Sequence, residues 1–174
     1  MRSLNMKNIY IVGFMGTGKS VAGKLLAKRL NLEFFDLDSS IEKEEGRKIK
    51  EIFAEKGEAY FRRIEKEAVQ EVSKKDRLVV ACGGGVVLDK GNIDILKKTG
   101  TLISLTSRPE VILSRCQANC DRPLLNVKDP QDEIKKLLAI RQPFYAEAEI
   151  SIDTSDLSVE EVVREIKRKL VSND

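Results

Sequence analysis

Apolar positions along the chain come in two rhythms. Short runs made mostly of apolar residues occur at Asn8–Val12 (NIYIV), Glu33–Asp36 (EFFD), Leu78–Cys82 (LVVAC), Thr101–Leu105 (TLISL) and Glu149–Ile152 (EISI), and each predicts a strand. Between them, apolar residues recur at i, i+3 and i+4, which predicts helices. These cover Lys19–Leu30, Ser39–Gly46, Lys48–Lys56, Glu58–Lys74, Gly91–Lys98, Pro109–Ala118, Pro130–Pro143 and Ser158–Val171. In Lys19–Leu30, Val21, Ala22, Leu25, Leu26 and Leu30 share one side; in Glu58–Lys74, Phe61, Ile64, Ala68, Val69 and Val72 do the same. Strands alternating with helices imply the α/β class, a mostly parallel sheet covered on both faces. No repeat or linker divides the chain, so one domain is expected. About forty residues of helical pattern between the second and third strands read as an insertion over about 38–75. Asn119–Asp129, with Pro123, several charges and no period, reads as a long exposed connection.

Composition narrows the picture. A chain of 174 residues suits one hydrophobic core. With 41% apolar and 34% charged residues it is globular rather than disordered. A net charge of +3 is too mild to argue for a nucleic-acid partner. No apolar run reaches the roughly 18 residues that a membrane span needs, and Met1–Asn8 lacks the apolar stretch of a secretory leader. Cys82, Cys116 and Cys120 form no C-x-x-C pair, which fits a reducing cytoplasm; Cys116 and Cys120 read as small side chains near a surface. Histidine is absent, which removes imidazole bases, Ser-His and Cys-His nucleophile systems and histidine metal sites. Catalysis must then rest on carboxylates, Arg, Lys, a metal ion or backbone dipoles.

One motif carries chemistry by itself. Gly13–Ser20, GFMGTGKS, spells G-x-x-x-x-G-K-[ST], follows a predicted strand and opens a predicted helix, the context of a phosphate-binding P-loop. Backbone N–H groups of such a loop point inward, and the following helix adds the positive end of its dipole. Gly13, Gly16, Thr17, Gly18, Lys19, Ser20 and the next residue, Val21, are the candidate nucleotide contacts. Lys19 supplies a point charge to the β- and γ-phosphates and Ser20 a hydroxyl to Mg²⁺, a cation that prefers oxygen ligands. The second strand ends FFDLD. Alternate residues of an extended segment point the same way, so Asp36 and Asp38 can both face the loop, one toward Mg²⁺ and one toward an acceptor hydroxyl. The competing reading makes Asp38 a helix cap.

The loop does not choose between a switch, a motor and a kinase. The guanine-reading N-K-x-D and the switch D-x-x-G of GTPases are both missing. A small P-loop chain with a helical insertion and a long connection suits phosphoryl transfer to a small molecule, with water kept out. Arg62, Arg63, Arg122 and Arg141 lie beside Phe or Pro, away from alternating charge, and a guanidinium fork matches a carboxylate or phosphate. Gly83-Gly84-Gly85 follows an apolar strand and lets a ligand approach the main chain.

GFMGTGKS, FFDLD, GEAYFRRIE, GGG, RPLL and RQPFY, in this order from about Asn8 to about Asp153, resemble shikimate kinase. The resemblance implies ATP- and Mg²⁺-dependent phosphorylation of the shikimate 3-hydroxyl, on the way to chorismate and the aromatic amino acids. It implies a three-layer α/β/α fold with a five-stranded parallel sheet ordered 2-3-1-4-5, a substrate-binding insertion and a lid over about 117–130. Carried over, Lys19 contacts ATP phosphates, and Ser20 and Asp36 hold Mg²⁺. Asp38 binds the shikimate hydroxyls and takes the proton. Arg62 and Arg141 clamp the carboxylate, Glu65 orients the arginines, and Gly83, Gly84 and Gly85 offer main-chain contact. Arg122 swings onto the transferring phosphates, Arg115 flanks the nucleotide, and the segment after Asp153 lines the adenine. Phe53 and Phe61 could wall the carbocycle or belong to the core. The partners expected are ATP and shikimate, for a cytoplasmic monomer.

One position departs from the family pattern. Many members carry a hydroxyl residue two places before the triple glycine, where this chain has Ala81, which puts metal affinity in question. Gluconate kinase shares the loop and size, but its substrate motif normally carries histidine. A nucleoside-monophosphate kinase would show D-G-[FY]-P-R where ACGGGVV stands. A catalytically silent nucleotide-binding module is the reading from another class.

Overall fold

The computed structural model describes residues 7–117 and 127–172. Strand β1 (Asn8–Gly13) is the centre of a five-stranded parallel sheet ordered β2-β3-β1-β4-β5, with β2 at Glu33–Asp36, β3 at Leu78–Ala81, β4 at Gly100–Thr106 and β5 at Ile150–Asp153. Every residue of β1 is buried, as a strand sheathed on both faces requires. Helices α1 (Lys19–Leu30) and α7 (Val159–Ser172) cover one face, where Leu26 and Ile166 meet Ile11, Ile103 and Leu105. Helices α2 (Leu37–Glu45), α3 (Ile49–Val72), α4 (Lys90–Thr99), α5 (Pro109–Gln117) and α6 (Pro130–Tyr145) cover the other, where Ile41, Phe61, Ile93, Ile112 and Ile134 join Tyr10, Val12 and Leu102. Fully burying each such side chain contributes about 1.5–3 kcal/mol. The result is the expected three-layer α/β/α fold.

Several boundaries move, each for a local reason. Strand β2 stops at Asp36, and α2 begins at Leu37 rather than Ser39, because the Asp36 carboxylate caps the helix by accepting from Ser39 N at 3.0 Å. The two helices expected around Gly57 run on as α3, but Gly57 breaks the helical geometry with φ 80° and ψ 172°. Helix α6 continues past Pro143 to Tyr145. The carbonyl that Pro143 cannot satisfy belongs to Ala139, which is exposed, so the missing N–H leaves no buried group stranded. Val21 is not on the buried side of α1; it is 58% exposed, beside the glycine loop. Of the connection expected over Asn119–Asp129, residues 119–126 lie outside the described residues, as do Ala118 and Cys120.

Candidate active site

The loop between β1 and α1 turns through left-handed backbone at Gly16 (φ 74°) and Gly18 (φ 90°), which a side chain would strain. Lys19 Nζ donates to Phe14 O at 3.0 Å, so its ammonium lies over the loop. The loop is fastened from behind. Thr154, 2% exposed just past β5, has its hydroxyl 3.2 Å from Thr17 O and 3.1 Å from Thr106 O. Arg115 donates to Gly16 O at 3.2 Å, to the Thr154 hydroxyl at 3.0 Å and to Thr154 O at 2.8 Å. Nearby, Arg108 clasps Asp156 through two bonds of 2.7 and 2.8 Å, which holds the segment after β5 against the start of α5. An open cleft of about 550 Å³ runs from Asp36 and Asp38 past the loop to Leu157, Val159 and Val162.

At one end of the cleft the carboxylate of Asp36 serves twice. One oxygen caps α2 and the other accepts from Ser20 Oγ at 2.7 Å. A hydroxyl and a carboxylate side by side are hard oxygen donors of the kind Mg²⁺ takes, leaving its other positions to waters or phosphate. Asp38 is not the next outward residue of a strand, as the sequence pattern suggested; it is in the first turn of α2, where the helix dipole favours a carboxylate. Both carboxylates still line the cleft, because the turn into the helix replaces the strand alternation. Ala81 and Cys82 lie on the same wall. Burial pushes the Cys82 thiol far up and the Asp38 carboxylate adds to the push, so it stays protonated and is no nucleophile.

Beside this end, charged side chains from three helices gather over the triple glycine. A Cβ on Gly83 would lie 2.5 Å from Asp38 Oδ1 and 3.2 Å from Glu65 Oε1, and one on Gly85 would strike the Arg62 guanidinium. Only glycine lets these side chains close over the loop. Arg62 donates to Glu65 Oε2 at 2.6 Å, one helical turn on. Glu65 is 1% exposed, and burial raises its carboxyl above the ordinary carboxylate range, with Arg62 opposing the shift. From α6, Arg141 reaches Gly84 O at 3.4 Å with its guanidinium 5.5 Å from the centre of the Phe14 ring. Tyr145, one turn later, donates to the same carbonyl at 2.7 Å.

The structure therefore brings together Asp38, Arg62, Glu65, Arg141 and the three glycines, from four segments of the chain. It does not bring Arg63, whose exposed guanidinium pairs with Glu67 at 2.8 Å and stacks on Tyr60. Phe61 is a core residue, 3% exposed, with the Phe53 ring 4.7 Å away. Cys116, expected near the surface, is 4% exposed in the core, against Gly16. Arg122 lies outside the described residues. Sequence reasoning missed Thr154 and Tyr145. Nothing local marks Thr154; Tyr145 was signalled by its i+4 spacing from Arg141, hidden by Pro143 between them.

A phosphate loop after the central strand of a sheet ordered β2-β3-β1-β4-β5, with Asp38 between its cleft and the charged cluster over the triple glycine, defines a kinase of the P-loop fold. A family model described as shikimate kinase matches residues 15–171. The chain is 48% identical to a shikimate kinase of Caldanaerobacter subterraneus subsp. tengcongensis, over 95% of this chain and 97% of that one. It is also 48% identical to a shikimate kinase of Persephonella marina, over 92% and 97%. The solved structure of shikimate kinase from Acinetobacter baumannii in complex with shikimate superposes with a TM-score of 0.93 at 36% identity, covering 97% of this chain and 95% of that one. The chain belongs to the shikimate kinase family.

Proposed function

We propose that the cleft transfers the γ-phosphoryl group of ATP to the 3-hydroxyl of shikimate, with each end of the site doing a separate job. The observation that carries this is the juxtaposition at Gly83, where Asp38, at the edge of the phosphate cleft, meets the Glu65–Arg62 pair. Arg62 and Arg141 hold the substrate carboxylate, and Gly83, Gly84 and Gly85 offer main-chain groups to its hydroxyls. Asp38 accepts the hydroxyl proton as the oxygen attacks the γ-phosphorus; the bond from that phosphorus to the β–γ bridging oxygen breaks, and ADP leaves. Lys19 and the loop N–H groups (Gly13, Gly16, Thr17, Gly18 and the start of α1, with Val21 beside it) position the phosphates and draw off their charge. Arg115 holds the loop on the nucleotide side, and Arg122, which lies outside the described residues, would complete the charge on the transferring group, as the motif RPLL implies. Ser20 and Asp36 would hold Mg²⁺, whose chemistry here is to neutralise the β- and γ-phosphate oxygens. Ala81 adds no oxygen to that set, so metal affinity rests on these two and on the phosphates.

One chain furnishes both ends of the cleft, which supports a monomer as the working unit. Cys82 and Cys116 are free thiols, in keeping with a reducing cytoplasm. Among the described residues no helix is long and apolar enough to cross a membrane. The test is ADP release with ATP–Mg²⁺ and shikimate, gluconate, AMP or no acceptor. Turnover with shikimate alone, at the roughly 1–100 per second usual for kinases, is expected. Turnover with another acceptor but not with shikimate would overturn the reading.

A further inference from the structure

The carbonyls of the glycine floor are not held alike. Gly83 O accepts from Val86 N at 3.2 Å and Gly85 O from Leu88 N at 3.0 Å, so the turn at Val86–Leu88 fixes both. Gly84 O is held from α6, by Tyr145 Oη at 2.7 Å and by Arg141 at 3.4 Å. The shorter bond is the stronger one. Tyr145 is 4% exposed; its buried hydroxyl donates to this carbonyl and also meets the Arg141 guanidinium.

A trans peptide sets its C=O and the next N–H in opposite directions, and the described chain contains no cis peptide. Fixing Gly84 O toward α6 therefore turns the Gly85 N–H away from α6. Glycine on both sides of that peptide gives it no preferred orientation of its own. The turn at Val86–Leu88 uses the carbonyls of Gly83 and Gly85 and not the N–H groups of Gly83, Gly84 and Gly85. They are the groups that the proposed function offers to the acceptor.

We propose that Tyr145 is a positioning residue for the acceptor: its hydroxyl locks the Gly84–Gly85 peptide so that the glycine floor presents its N–H groups to the substrate. Tyr145 and Arg141 share one face of one helix, four residues apart, and converge on one carbonyl. Helix α6 thus delivers the carboxylate clamp and orients the floor as one rigid piece. The inference rests on the acceptor reading above.

Tyr145→Phe keeps the ring in the core and removes only the hydroxyl. The expected result is a rise of about five-fold in KM for shikimate, the size of one neutral hydrogen bond, with KM for ATP within about two-fold of wild type. Calorimetric binding of shikimate without nucleotide should weaken by the same factor. A lower melting temperature with both KM values unchanged would make Tyr145 a packing residue and overturn the inference, as would an equal rise in both. Wild-type turnover of shikimate separates the failures. Its absence would refute the acceptor reading and this inference with it. Its presence beside an unaltered Tyr145→Phe enzyme would refute this inference alone.

Discussion

The two ends of the cleft are built from different materials. The nucleotide end is main chain: one contiguous loop, Gly13–Ser20, whose shape is fixed by left-handed glycines and by Arg115 and Thr154 gripping its carbonyls from outside. The acceptor end is side chain: Asp38, Arg62, Glu65, Arg141 and Tyr145, brought from α2, α3 and α6 onto three glycines. The first presents backbone dipoles to a ligand that every P-loop protein shares. The second, in the function proposed above, places charges for one particular anion. A substitution at the nucleotide end should therefore disturb phosphate handling, whereas one at the acceptor end should disturb recognition of one substrate and leave ATP alone.

That separation can be broken in order of effect. The largest loss is expected from Lys19→Met, which removes the charge over the loop. Rates of ADP release should fall by on the order of 10²–10³ or more, with an unchanged melting temperature. Next comes Arg141→Ala. Losing a charged hydrogen-bonding partner of the substrate should raise KM for shikimate about 10- to 100-fold, with KM for ATP unchanged in steady-state assays. An effect on ATP alone would dissolve the proposed clamp. Smaller again is Thr154→Val, which removes the hydroxyl bound to Thr17 O and Arg115. KM for ATP should rise about five-fold and calorimetric shikimate binding should stay put.

The smallest effect concerns Glu65 and pH. Its carboxyl is raised in the folded protein, chiefly by burial. As pH falls from neutrality toward the ordinary carboxylate range, folded Glu65 takes up a proton while the unfolded chain does not. The folded state then binds more protons, so the Glu65 contribution to stability grows as pH falls and is lost as pH rises through the folded value. Melting curves between neutral pH and about pH 5 should show this component in wild type and lose it in Glu65→Gln. An identical pH dependence in both proteins would show that Arg62 fully compensates the buried charge.

The same contrast explains what the sequence made legible. A backbone-built site needs its residues consecutive, so GFMGTGKS announces itself, and the continuous apolar runs announce the parallel sheet around it. A side-chain site is assembled by packing. The motif order that resembles a known family pointed to Arg62, Glu65 and Arg141, but proximity to phenylalanine wrongly added Arg63, which faces solvent from the same helix turn. The strand-alternation argument for Asp36 and Asp38 reached the right wall by the wrong geometry, because the Asp36 cap starts α2 one residue later. Ending α6 at Pro143 hid Tyr145, since a proline in a helix breaks it only where its missing hydrogen bond is costly. Thr154 has no neighbour in sequence that shares its task; its partners lie 39, 48 and 137 positions away.

The central claim, that the two ends act separately, is tested most directly by a double-mutant cycle. Dissociation constants for shikimate alone and for ATP alone would be measured by calorimetry on wild type, Arg141→Ala, Thr154→Val and the double variant. The double variant should show the shikimate affinity of Arg141→Ala and the ATP affinity of Thr154→Val, with no coupling beyond about 0.5 kcal/mol. If either single change weakened both ligands to the same degree, the two ends would be one cooperative unit and the division of labour drawn here would be wrong.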